Sequence, residues 1–171
     1  MASLKVEIEQ QRPFSSLEEE ALLNLMRTSD FLGREAQRRI RGWGVTSTQY
    51  NVLRILRGAH PDGLTCSAIG NRMITAEPDV TRLLARLKAL KLIRQRHDRR
   101  DRRVLWTHIS EAGLQLLAEL DPVVNQATAD LLGHMTAEEL AALIRLLELA
   151  RQRCKEAGTP GNEDELQTVA R

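Results

Sequence analysis

The chain has 171 residues, 42% of them apolar but only 3% aromatic, and Leu and Ala dominate, which favours a mostly helical fold over a β-sandwich. Net charge is +2, yet Arg72 to Arg103 holds eleven Lys or Arg against four Asp or Glu, leaving 14 against 19 elsewhere, so one basic segment on an otherwise acidic chain points to a polyanionic partner. With two cysteines, four scattered histidines, no apolar run near the roughly 18 residues of a membrane span and no signal pattern in MASLKVEIEQQRPF, neither a disulfide framework, a spaced metal site nor a membrane partner is expected, and the reducing cytoplasm is the expected compartment.

In chain order, residues 1–15 read as an N-terminal arm. Ser16 with Glu19 forms a capping box opening a long helix to about residue 41, with Leu22, Leu25, Met26, Leu32, Ala36 and Ile40 along one face. Thr46 with Gln49 opens a second helix, with Tyr50, Leu53 and Leu56 inward. Thr65 caps a short helix to about Met73, and Pro78, placed in a first helical turn, sets the start of the next helix near Ala76. In that helix Val80, Leu83, Leu84, Leu87 and Leu90 make the buried face, while Asp79, Arg82 and Arg86 lie on the other.

Leu92–Arg96 and Val104–Ile109 read as paired strands around RHDRRDRR, a run too charged to enter a core and therefore a hairpin tip. Ser110 then caps a long helix expected to kink at Pro122 and stop at Gly133. Thr136 with Glu139 opens a last helix striped by Leu140, Leu143, Ile144, Leu147 and Ala150. Residues 158–171 are polar and expected to be disordered. The outline is a mainly α protein with a small β-wing: a winged helix-turn-helix domain, residues 46–110, between helices at 16–41 and 110–155. No Gly-rich phosphate loop, paired-carboxylate site or nucleophile with a positioned base is visible, so the chain is not read as an enzyme, and no cofactor is expected.

The order of elements and three segments resemble the MarR family, the multiple-antibiotic-resistance type of transcriptional regulator, over nearly the full length. Asp101-Arg102-Arg103 followed by Val104 to Ser110 fits the family's D-x-R then x-x-x-V-x-L-T pattern, with Thr107, Ile109 and Ser110 as conservative departures. Pro78 to Leu84 is similar to the opening of the family's recognition helix, and Gly113 follows the wing as it does there. The resemblance implies that Arg103 reads a minor groove with Asp101 as its partner. An aspartate two residues earlier can orient the guanidinium, and a narrow minor groove attracts it. Arg99, Arg100 and Arg102 are expected on phosphates, Thr81 and Arg82 on bases, and Arg86 on either. Asp79 has two readings: acceptor from a cytosine amino group, or favourable charge at the helix start paired with Arg82.

The resemblance further implies that the first helix and the last two interlock into a homodimer on double-stranded DNA, with a pseudo-palindromic operator, repression and release by a small phenolic or other lipophilic effector. Phe31, Arg34, Trp43 and Tyr50 are the candidate effector pocket, with plain core packing as the other reading. A protein-interaction or redox-responsive regulator is the alternative. Cys66, at a helix start, is the candidate thiol; Cys154 lies where a C-terminal dipole opposes a thiolate.

Overall fold

The segment expected to be a loose arm carries a short helix, α1 (Leu4–Glu7), anchored by a buried Leu4. The computed structural model describes residues 3–157, so the tail from 158 lies outside the described residues. The long helix α2 (Leu17–Ile40) starts as expected at Ser16, whose hydroxyl accepts from the Glu19 N–H at 3.2 Å. The reciprocal half of the box is displaced: the Glu19 carboxylate accepts from the N–H and hydroxyl of Ser15, both at 2.6 Å. A 3₁₀ turn (Arg41–Trp43) and Gly44, at φ 73°, end that helix.

Helix α3 (Ser47–Gly58) opens with the full Thr46–Gln49 capping box and buries Tyr50, Val52, Leu53 and Leu56. A two-residue strand β1 (Leu64–Thr65), absent from the sequence reading, precedes α4 (Cys66–Gly70), which is shorter than expected. Two residues carry no readable alternation, and the partner of β1 lies some forty residues on. It pairs antiparallel with β3 (Leu105–Ile109), Leu64 opposite Thr107, and β2 (Ile93–His97) flanks the other side of β3 with Ile93 opposite Ile109 and His97 opposite Leu105. Gly63, at φ 76°, permits this arrangement: a Cβ there would sit 2.6 Å from the His108 ring and 2.7 Å from the Thr107 carbonyl oxygen.

The helix after the turn, α5 (Val80–Ala89), starts four residues later than Pro78 suggested. Asp79 is the N-cap, so Pro78 lies outside the helix: a carboxylate accepting from the third helical N–H fixes the start more strongly than proline does. Leu83, Leu84 and Leu87 pack with Leu53, Leu56 and Ile69 in the core. Ser110 caps α6 (Glu111–Leu132), accepting from the Gly113 N–H at 3.1 Å and donating to the Lys91 carbonyl at 2.7 Å, and the helix continues through Pro122.

The described residues divide into two compact units, with the boundary between Thr128 and Ala129. The described part of the second holds the end of α6, Gly133 and α7 (Ala137–Ala157), opened by the expected Thr136–Glu139 box. Along α7, Ile144 and Leu149 are 58% and 59% exposed. No helix among the described residues is long and apolar enough to cross a membrane.

Candidate nucleic-acid interface

Helix α5 buries Leu83, Leu84 and Leu87 and turns Thr81, Arg82 and Arg86 to solvent, as the spacing required, but Leu90, expected on the buried face, is the C-cap and is 48% exposed because the helix ends before it. Asp79 resolves toward the helix: its Oδ1 accepts from the Arg82 backbone N–H at 2.8 Å. The interaction is with backbone rather than the guanidinium, which leaves the Arg82 side chain exposed on the outward face. The hydroxyl of Thr81 lies 3.8 Å from the thiol of Cys66, a half-buried residue at the start of α4. The Cys154 side chain lies outside the described residues.

Between β2 and β3 the wing tip, residues 98–104, is a tight turn. The Asp98 N–H donates to the Val104 carbonyl at 2.9 Å and the Val104 N–H to the Asp101 carbonyl at 3.0 Å. Arg99, Arg100, Arg102 and Arg103 are all exposed around it. Four guanidinium groups in five positions raise the local positive potential, and nothing apolar there competes for water. Asp101 Oδ1 accepts from the Arg103 backbone N–H at 2.9 Å, the two-residue reach characteristic of an aspartate in a turn, so this oxygen shapes the loop that carries Arg103.

Three further residues build the wing and escaped the sequence reading. Asp98 Oδ1 accepts from the N–H groups of Arg100 and Asp101 at 2.7 and 3.1 Å, and its Oδ2 accepts from the Trp106 indole N–H at 3.0 Å. The Arg100 and Asp101 amides, with the indole behind them, hold the Asp98 carboxyl below the usual carboxylate range. His97 Nδ1 lies 2.7 Å from the Arg102 carbonyl oxygen. The signal was a register one. Arg96 stands opposite Trp106, which makes Asp98 a diagonal neighbour of the indole once the strands are aligned.

The four pocket candidates separate. Phe31 is 47% exposed on α2, with the Arg27 guanidinium 4.5 Å and the Arg34 guanidinium 5.0 Å from its ring centre, while Arg34 also pairs with Asp30 at 2.7 Å. Trp43, in the 3₁₀ turn, is partly exposed. Tyr50 belongs to the core, its hydroxyl donating to Asp121 Oδ1 at 2.8 Å. The structure thus brings Phe31 and Arg34 together and gives Tyr50 a structural partner instead.

A family model described as the MarR family matches residues 43–104, from the end of the 3₁₀ turn through the wing tip. The crystal structure of a MarR transcription factor from Planctomyces limnophilus is 39% identical, with 80% of this chain and 99% of that one covered and a TM-score of 0.63. The chain belongs to the MarR family. As a family member it is a DNA-binding transcription regulator. Among curated MarR-family relatives it is similar to the transcriptional regulator HosA of Escherichia coli O157:H7, 26% identical over 103 residues, 60% of this chain and 75% of HosA. It is also similar to Bordetella bronchiseptica BpsR, whose DNA binding is regulated by 6-hydroxynicotinic acid. There the identity is 25%, 82% of this chain and 99% of that one are covered, and the TM-score is 0.72. The stretch matched to the MarR family contains both α5 and the basic wing.

Proposed function

We propose that this MarR-family regulator is a homodimeric repressor that grips a pseudo-palindromic operator and releases it when a small aromatic effector binds. Thr81, Arg82 and Arg86 on α5 read the major groove, Arg103 enters the flanking minor groove, and Arg99, Arg100 and Arg102 hold phosphates. Asp79 and Asp101 act on DNA only through the backbone turns they cap. The observation that carries the reading is the pairing of an exposed helix face bearing Thr81, Arg82 and Arg86 with a turn exposing four arginines.

Dimerisation is supported by apolar rows that the single chain leaves uncovered. Leu22, Leu25 and Met26 on α2 are 56%, 41% and 60% exposed, as are Ile144 and Leu149 on α7 to a similar degree. A two-fold dimer repeats the recognition helix, so half-sites lie about 10 bp apart, one helical turn. For the effector, Phe31 flanked by Arg27 and Arg34 offers an aromatic face beside positive charge, suited to an aromatic acid. BpsR's response to 6-hydroxynicotinic acid supports that class. Trp43 completes the exposed set, and Tyr50, buried in the core, is left out of it.

Binding to a duplex with a pseudo-palindromic site, measured across salt concentrations, tests the reading. Two chains per duplex and a steep linear fall of log affinity with log salt are expected, because each phosphate contact releases counterions. A flat salt response would overturn it.

A further inference from the structure

We propose that Trp106 and Asp98 form a positioning pair that holds the wing in its DNA-competent shape, so that Trp106 governs operator affinity without touching DNA. The proposal rests on the reading of the wing as a DNA contact. Trp106 stands in the central strand, opposite Thr65 of β1 on one side and Arg96 of β2 on the other, so its backbone is fixed by the sheet. Its half-buried indole passes that rigidity to the Asp98 carboxylate through the 3.0 Å hydrogen bond. The second carboxylate oxygen then fixes the N–H groups of Arg100 and Asp101, which set the path of the turn.

Without that anchor the turn is poorly determined. It carries four arginines whose charges repel one another, and no apolar side chain of residues 98–103 reaches the core. Its remaining ties are the Val104 ladder bonds, the Asp101 turn and the His97 contact to Arg102. A loop that visits its binding shape only a fraction of the time binds with affinity reduced by that fraction. In the resemblance pattern Trp106 occupies a position left open to any residue, so the anchor is a property of this chain and not of the wing pattern.

The experiment compares Trp106→Phe, Asp98→Asn and the double variant in operator binding, thermal unfolding and salt dependence. It repeats them in a wing in which Arg99, Arg100, Arg102 and Arg103 are all alanine. Phenylalanine keeps the ring packing and loses the N–H; asparagine keeps an acceptor for the two backbone N–H groups and presents a donor to the indole. Each single change is expected to weaken binding roughly fivefold to tenfold. The salt slope and melting temperature should stay unchanged, and the double variant should be no worse than either single one. In an amide spectrum of the free protein, Asp98→Asn should shift the Trp106 indole resonance and speed its exchange. In the arginine-free wing both changes should have no effect. Equal loss in both wings, or no loss in the native wing, overturns the positioning pair while leaving the wing reading intact. If the arginine-free wing binds as tightly as the native protein, the wing reading itself falls.

Discussion

Tyr50 on α3 donates its hydroxyl to Asp121 Oδ1 on α6 across 2.8 Å, and Arg57, two turns along α3, reaches the other carboxylate oxygen at 2.5 Å. The pair ties the helix before the helix-turn-helix to the helix after the wing, 71 residues apart in sequence for Tyr50. Tyr50→Phe leaves the ring in the core and removes one of the two partners of a partly buried charge. A loss of about 1 to 2 kcal/mol in unfolding free energy is expected, measurable by chemical denaturation. No change would show that water replaces the hydroxyl without cost.

The same pair predicts the pH dependence of stability. Burial, then the hydrogen bond to Asp121, pushes the Tyr50 hydroxyl up to about 12, against an ordinary value of about 10. Its folded value is raised, so its contribution is complete below about 10 and disappears as pH rises to about 12. Burial by itself would raise Asp121, but hydrogen bonds from Arg57 and Tyr50 outweigh it and hold the carboxyl below the usual range. A lowered folded value acts on the other side: its contribution is complete above about 3.9 and is lost as pH falls through the folded value. The stability gap between native protein and Tyr50→Phe should therefore close between pH 10 and 12. A gap that stays constant over that window would rule out the Tyr50 assignment.

Gly113 marks where α6 leaves the sheet. A Cβ there would fall onto the Leu92 carbonyl oxygen and 2.8 Å from Ile109 Cγ1, and that carbonyl already accepts the Ser110 N–H at 3.0 Å. Both obstacles belong to the packed end of the hairpin, so neither can yield without breaking the junction. Gly113→Ala should cost on the order of 3 kcal/mol in unfolding free energy and lower the melting temperature accordingly. A near-native melting curve would mean that the junction is looser than these distances imply.

What the sequence made legible follows the range of the interaction. The Thr46–Gln49 and Thr136–Glu139 boxes span three residues and formed as read, because capping is a local competition for N–H groups. The Ser16 box formed half-way, since an adjacent serine offered Glu19 a second donor that spacing alone cannot rank. Pro78 misled by four residues because Asp79, next to it, is the better cap. The strand β1 and the Asp98–Trp106 bond were unreadable for a different reason: each depends on a strand register that is set only when the hairpin closes. The helical spacing put Tyr50 inward with Leu53 and Leu56, and the core was the favoured reading over the pocket; what spacing could not name was its partner, Asp121 on α6.

The arginines of the wing should divide by the kind of contact they make. Arg103→Ala is expected to weaken operator binding by about 1 to 3 kcal/mol and to relax preference at one position, as a groove contact does. Arg99→Ala, Arg100→Ala and Arg102→Ala should each weaken all sequences about equally and reduce the salt slope by about 1. All four side chains are exposed, so melting temperatures should stay put. Binding curves on operator and scrambled duplexes at several salt concentrations separate the two classes. If Arg103→Ala behaves like the others, its minor-groove role is lost.

Asp101 allows the sharpest separation between charge and shape. If its carboxylate served to orient the Arg103 guanidinium, Asp101→Asn and Asp101→Ala would be equally damaging, since both abolish the charge. The structure places Oδ1 on the Arg103 backbone N–H at 2.9 Å, and an asparagine amide oxygen can accept the same bond. Asp101→Asn should therefore preserve the turn while removing a negative charge from a surface that meets phosphate, leaving operator affinity equal to native or higher. Asp101→Ala loses the bond, worth about 0.5 to 1.5 kcal/mol, and should bind roughly twofold to tenfold more weakly. Anisotropy titrations of the two variants against the same duplex decide it. Equal weakening in both would restore the guanidinium role and make the backbone bond incidental.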